Sequence, residues 1–94
     1  MIKSPFTVHS ALLDNATFPA GEYRPLFEDD GGFYFQAPEE VVVHAAGIAT
    51  YTHIGGLYVE RGAIQPTRWY YIYERDGHKK MWRFHDVPQF DLVP

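Results

Sequence analysis

The stretch RWYYIYERDGHKKMWRF, residues 68–84, decides the fold of this chain. Eight of its seventeen residues are aromatic, Ile or Met, and Asp76-Gly77 lies near its centre. Asp-Gly favours a two-residue type I′ turn, because both central residues of that turn need positive φ. The stretch is therefore predicted to form a β-hairpin from strands 67–75 and 78–85.

The predicted turn fixes which residues of the two strands face each other. The expected pairs are Arg75–His78, Glu74–Lys79, Tyr73–Lys80, Ile72–Met81, Tyr71–Trp82, Tyr70–Arg83 and Trp69–Phe84. They bring together opposite charges, apolar side chains and aromatic rings. Such cross-strand pairs each stabilise a sheet by roughly 0.2–1 kcal/mol.

Side chains alternate between the two sides of a strand, so the hairpin has two distinct faces. The first, called the aromatic face here, carries Trp69, Tyr71, Tyr73, Lys80, Trp82 and Phe84. Because this face is almost entirely aromatic, we expect it to pack against the core. The expected core comprises Trp69, Tyr71, Trp82 and Phe84 as anchors, with Val41, Val43, Leu57 and Val59 as neighbours.

The opposite side of the hairpin, called the outer face here, has a short apolar strip framed by charges. An apolar centre enriched in Tyr, Met and Arg with a charged rim is typical of an interface. We therefore predict a non-catalytic binding or assembly module, with a protein partner or a second copy of the chain on this face. The predicted contact residues are Arg68, Tyr70, Ile72, Lys79, Met81, Arg83 and His85. The alternative is an ordinary solvated sheet face, on which apolar side chains pack under charged stems.

Turn signals divide the rest of the chain into short runs rich in β-favouring residues. The predicted strands are 6–13, 22–28, 33–37, 41–46, 48–53 and 57–60, with turns at Asp30-Gly31 (type I′) and Gly55-Gly56. Together with the hairpin, they predict one all-β domain over residues 1–94, a small antiparallel sandwich or partly open barrel of six to eight strands. Because Pro38-Glu39-Glu40 suits the first turn of a helix, the alternative is an α+β fold with one short helix around 39–50.

The distribution of charge along the chain indicates a second possible partner, nucleic acid. The net charge of −4 argues against general phosphate binding. Residues 66–85, however, hold five Arg and Lys against two carboxylates, a balance of +3 that leaves −7 for the rest. Aromatic residues interleaved with Arg and Lys are typical of surfaces that bind single-stranded nucleic acid. That partner is the first alternative, although the chain has no RRM or KH signature.

A small-ligand or metal-dependent enzyme is the second alternative, and the sequence gives it little support. The chain has no cysteine, and its two serines lie outside any G-x-S-x-G motif. Its five histidines match neither H-x-x-x-H nor H-E-x-x-H, and only His44 and His53 could approach each other if their strands pair. We expect no catalytic residue, no metal site and no cofactor.

The sequence leaves the compartment open. The segment MIKSPFTVHS lacks the apolar core of a signal peptide, and no window approaches eighteen consecutive apolar residues. We expect no membrane span. The cytoplasm is the default compartment, and secretion followed by removal of a signal peptide is the alternative.

Overall fold

The computed structural model describes residues 3–9, 11–12, 16–45, 49–84 and 92–93. Its strands are β1 (Phe6–Val8), β2 (Ala11–Leu12), β3 (Ala16–Phe18), β4 (Gly21–Glu28), β5 (Gly32–Gln36), β6 (Val41–Ala45), β7 (Ala49–Glu60), β8 (Arg68–Arg75), β9 (His78–Phe84) and β10 (Leu92–Val93). The all-β prediction is confirmed. The helix around 39–50 is wrong, because the β-branched run Val41–Val43 pairs with residues 51–53 of β7 instead.

One antiparallel sheet connects the ten strands in the order β10-β1-β4-β5-β7-β6-β3-β2, with β8 on β7 and β9 on β8. The twelve-residue strand β7 is its centre. Residues 56–60 of β7 pair with β5, residues 49–53 pair with β6, and residues 54–58 pair with β8. The eight predicted strands become ten because β3 and β10 are added, the predicted strand 6–13 corresponds to β1 and β2, and the predicted strands 48–53 and 57–60 join in β7.

The sheet curls around its main apolar core, so strands that are not neighbours in the sheet contact each other there. Phe18 of β3 packs edge-on against Trp69 of β8, with ring centroids 5.3 Å apart. Phe6 of β1 contacts the ring of Phe35 of β5 at 4.7 Å. The predicted core residues that are buried are Trp69, Val41, Val43, Leu57 and Val59.

Gly55 and Gly56 do not form the predicted turn, because both lie inside β7. A Cβ on Gly56 would stand 1.8 Å from the backbone oxygen of Phe35, and one on Gly55 would stand 2.4 Å from that of Tyr70. Glycine is therefore needed here for the close approach of the neighbouring strands. The predicted strands 48–53 and 57–60 are parts of one strand.

The hairpin of β4 and β5 also departs from the predicted turn. Glu28 faces Phe33 as expected, but Pro25 rather than Leu26 faces Phe35, because a bulge lies between Pro25 and Phe27. Neither Asp30 nor Gly31 has positive φ, so the turn is not type I′. The carboxylate of Asp29 instead accepts the N–H groups of Gly31 and Gly32 at 2.9 and 3.0 Å, which closes the turn.

The N-terminal segment differs from the predicted strand 6–13. The chain changes partner there, since β1 pairs with β4 and β10 whereas β2 pairs with β3. The short strands β3 and β10 were not predicted. Within the described residues, no helix has the length and hydropathy needed to cross a membrane.

Candidate binding faces of the β8–β9 hairpin

The hairpin turn has the predicted conformation. Asp76 and Gly77 have φ angles of 54° and 77°, as a type I′ turn requires. The seven predicted cross-strand pairs, from Arg75–His78 to Trp69–Phe84, are confirmed. The two faces of the hairpin are therefore those that the sequence predicts.

A cluster of tyrosines occupies the outer face. The ring of Tyr34 lies 4.8 Å from that of Tyr58 and 5.3 Å from that of Tyr70, both edge-on. Ile72 and Met81 pack against the three rings. We call these five residues the tyrosine cluster.

Tyr70 is fully buried within this cluster. It pairs with Gly56 of β7, and its hydroxyl donates to the backbone oxygen of Phe35 on β5 at 3.2 Å. The ring thus crosses β7 at the position where glycine leaves room for it. Burial raises the pKa of the Tyr70 phenol, so it stays protonated and remains a donor.

A polar network runs along the tyrosine cluster. Arg83 donates to the hydroxyl of Tyr34 at 2.8 Å, and this hydroxyl donates to the carboxylate of Asp29 at 2.7 Å. The Tyr34 hydrogen bond holds the pKa of the Asp29 carboxyl below its usual value of 3.8; the Gly31 and Gly32 N–H groups and the charge of Arg83 add to this against an opposing effect of burial. Burial and the bond to Asp29 raise the pKa of Tyr34 to about 12.

The structure distributes the predicted contact residues unequally. Burial of Tyr70 removes it from the surface, which corrects its predicted place in an exposed strip. Ile72, Met81 and Arg68 are half-buried, Lys79 and Arg83 are exposed, and His85 lies outside the described residues. A binding role for this face remains a prediction.

On the aromatic face, a groove opens where β7 and β8 separate. Their pairing ends at Ile54 and Ile72; β7 continues toward its N-terminus beside β6, and β8 continues toward its C-terminus beside β9. The resulting groove has a volume of about 440 Å³. Its lining residues are Val43, Tyr51, His53, Tyr71, Tyr73, Glu74 and Trp82. We call it the aromatic groove.

Aromatic rings follow one another along this groove. His53 stacks on Tyr71 with centroids 4.7 Å apart and an angle of 23° between the planes. The ring centroids of Tyr51 and His53 are 6.1 Å apart, and those of Tyr73 and Tyr71 are 5.9 Å apart. Burial raises the pKa of the Tyr71 phenol, and the neighbouring Tyr73 adds to this, so Tyr71 is neutral at physiological pH.

Two of the groove's rings are open to solvent. Tyr51 is 53% exposed and Trp82 is 49% exposed. The prediction that Trp82 anchors the core is wrong, and Tyr71 is only half-buried. The reason is that Trp82 lies on β9, one strand beyond β8, whereas the core cluster reaches only Trp69 and the partly buried Tyr71 on β8. The side chain of Phe84 lies outside the described residues.

Basic residues share the face that carries the groove. Lys80 faces Tyr73, and His78 faces Arg75, so alternation directs these residues to the side of Tyr71 and Trp82. All three basic side chains are exposed. This side of the hairpin therefore combines the exposed ring of Trp82 with the positive charges of Arg75 and Lys80.

The two histidines that the sequence singled out contact other residues. Nε2 of His44 lies 3.2 Å from the hydroxyl of Thr17, and the ring of His53 stacks on Tyr71. In the part of the chain that the structure describes, no three His, Asp or Glu residues are grouped to hold a metal ion.

A larger depression of about 580 Å³ lies beside the bulge in β4. Pro25, Leu26 and Pro38 line it, together with Glu22 and Arg24, whose side chains form an ion pair at 2.8 Å. It offers no aromatic ring to a ligand, and its charged side chains neutralise each other. The aromatic groove is chemically the better candidate.

Sequence reasoning missed the part of the groove that β7 supplies. Tyr51 and His53 reach the groove because β7 runs without interruption from Ala49 to Glu60. The predicted turn at Gly55-Gly56 excluded such a strand. Extending the period-2 alternation through the two glycines would have put Tyr51, His53 and Gly55 on one side.

Comparisons with protein-family models, with curated proteins and with solved structures found no significant match for this chain.

Proposed function

We propose that the protein is a non-catalytic binding module whose main contact surface is the aromatic groove. The observation that carries this proposal is the exposure of Tyr51 and Trp82, each about half open to solvent, in a single groove. Large aromatic side chains contribute most of the energy at binding sites, because each buries a large area on contact. Two such rings exposed in one groove favour a ligand surface.

The composition of the groove favours binding over catalysis. Its lining is aromatic and aliphatic apart from His53 and Glu74, and His53 is stacked on Tyr71. The groove therefore offers ring faces and an apolar floor. A volume of about 440 Å³ lies within the range of small-ligand sites.

NMR of the ¹⁵N-labelled protein tests this proposal without assuming the ligand. The protein is titrated separately with a single-stranded oligonucleotide, with a soluble glycan and with increasing concentrations of itself. We expect one of these to shift the backbone resonances of Tyr51, His53, Tyr73 and Trp82 together. The variant Trp82→Ala should weaken that response, whereas Met81→Ser, its neighbour on the outer face, should not.

Shifts confined to other surfaces, or equal losses in Trp82→Ala and Met81→Ser, would contradict the groove as the contact surface. Both variants must first show the far-ultraviolet circular dichroism and the urea midpoint of a folded protein.

Self-association through the outer face is a second candidate, supported by one apolar row across three strands. Ile54, Ile72 and Met81 lie opposite one another in register, and Ile54 is 48% exposed. Sedimentation velocity over a concentration series should then reveal a dimer that Ile54→Ser weakens. Ile64→Ser is the matched control, because Ile64 is 78% exposed but lies outside the strands. A monomer at every concentration would reject this candidate.

A further inference from the structure

The aromatic groove combines ring faces with positive charge, and this combination identifies a class of ligand. We propose that the groove binds single-stranded nucleic acid, with bases stacked on Tyr51 and Trp82 and with phosphates near Lys80 and Arg75. This inference rests on the proposed function, because it assigns an occupant to the same groove.

The exposed rings suit unpaired bases. Every base has a flat π-face, so aromatic side chains can stack on successive bases without reading their sequence. Tyr51 and Trp82 approach the groove from β7 and β9, on either side of the stacked pair His53 and Tyr71. In a duplex the base faces are covered by neighbouring base pairs, so they are not accessible to these rings as they are in a single strand.

The charges on the same face suit a phosphate backbone. Lys80 and Arg75 are exposed and share the face of Tyr73 and Trp82 by register. Glu74 is the one carboxylate among the groove's lining residues, and it faces Lys79 across the hairpin. A neutral glycan would use the rings but would leave the lysine and the arginine without a role.

The net charge of −4 does not oppose this assignment, because the charges are segregated. Of the five Arg and Lys residues in 68–84, Arg75 and Lys80 lie on the groove's side by register, and the carboxylate excess of the chain lies outside the hairpin. On the turn of β4 and β5, moreover, Arg61 contacts Glu28 at 3.1 Å and Arg83 lies 3.8 Å from Asp29. These contacts partly neutralise the acidic residues nearest the hairpin's outer face.

Fluorescence anisotropy with a labelled oligo(dT) tests the proposal. The probe is about twelve nucleotides long, which is within the site sizes of single-strand binding domains. Affinity is measured between about 50 and 200 mM salt, because released counterions make phosphate binding salt-dependent. Neighbouring residues on opposite faces supply two matched pairs of variants, Trp82→Ala with Met81→Ser and Lys80→Gln with Lys79→Gln.

We expect salt-dependent binding that is about tenfold weaker in Trp82→Ala, the effect of losing one base stack. Lys80→Gln should weaken binding and reduce the slope of log affinity against log salt by about 0.7, as for one lost phosphate contact on a single strand. Met81→Ser and Lys79→Gln should stay within about twofold of the parent protein.

Three results would overturn the proposal: no binding at about 50 mM salt, equal effects of the two variants in a pair, or equally tight binding of a duplex. The NMR titration separates this failure from failure of the proposed function. If the glycan or a second copy of the chain shifts the resonances of the groove residues and the oligonucleotide does not, only the nucleic-acid assignment is rejected. If none of the three shifts these resonances, both the nucleic-acid assignment and the groove as contact surface are rejected.

Discussion

Tyr34 connects distant parts of the sheet through one hydroxyl group. It accepts a hydrogen bond from Arg83 of β9 and donates one to Asp29 beside the turn of β4 and β5. Because β7 and β8 lie between β5 and β9 in the sheet, the network connects the edge strand β9 to the middle of the sheet. Phe27 stacks on the Tyr34 ring at 4.3 Å and covers the cluster further.

Acidification should weaken this network. The folded protein holds the pKa of Asp29 below its usual value of 3.8, so the carboxylate stabilises the fold fully above that value. This stabilisation is lost as the pH falls through the lower pKa of the folded state. The difference in unfolding free energy between the parent protein and Asp29→Asn should therefore be largest near neutral pH and shrink below about pH 4.

Urea unfolding over a pH series measures this difference. Tyr34→Phe provides the companion experiment, because it removes the main cause of the lowered pKa. In that variant, Asp29→Asn should have a smaller effect on the pH dependence. A difference that stays constant from neutral to about pH 2 would show that Asp29 does not stabilise the fold through its charge.

At the scale of the elements, local rules predicted the hairpin and failed at the centre of the sheet. Asp76-Gly77 determines its own turn through the backbone φ angles that these residues tolerate, and the register of β8 and β9 follows from that turn. Gly55-Gly56 carries a similar local signal, but contacts with Phe35 and the backbone of β8 decide its conformation. Those contacts come from strands that are distant in sequence, so a rule based on neighbouring residues cannot predict them.

The same limit explains the errors at the candidate site. Alternation correctly divided the hairpin into two faces, but it could not tell how far each face is covered. Tyr70 was expected on the surface and is buried under rings from β5 and β7, whereas Trp82 was expected in the core and is half exposed. Coverage depends on which side chains of β5 and β7 pack over each face, which the two strands of the hairpin do not encode alone.

Glycine at position 56 should be essential for the sheet. Gly56→Ala would bring a methyl group to 1.8 Å from the backbone oxygen of Phe35, which neighbouring strands can relieve only by moving apart. We expect it to lower the free energy of unfolding by about 3 kcal/mol or more. Gly77→Ala is the control, because a Cβ added at Gly77 would have nothing within 4 Å. Only the positive φ of Gly77 opposes this substitution, and it should lower the free energy of unfolding by about 1 kcal/mol. Urea unfolding that finds Gly56→Ala no more costly than Gly77→Ala would contradict the close approach.

At the scale of the whole molecule, the hairpin is longer than the core requires. Trp69 packs in the core against Phe18 and Tyr71 packs at its edge, whereas both strands continue from there to the turn at Asp76-Gly77. This part of the hairpin, residues 71–83, carries the exposed ring of Trp82 and four of the eight Lys and Arg residues of an otherwise acidic chain. A part of the fold that the core does not need is thus available for binding, which is why we assign the contact surface to it.

Tryptophan fluorescence can test whether the groove is exposed and binds a ligand, because the chain has only two tryptophans, Trp69 and Trp82. Trp69 is 3% exposed and Trp82 is 49% exposed, so acrylamide should quench mainly Trp82. We expect a quenchable component of the fluorescence that Trp82→Phe removes and that bound single-stranded oligonucleotide protects. Equal quenching of the parent protein and Trp82→Phe, or quenching of Trp82 that a saturating oligonucleotide leaves unchanged, would contradict an exposed groove that serves as the contact surface.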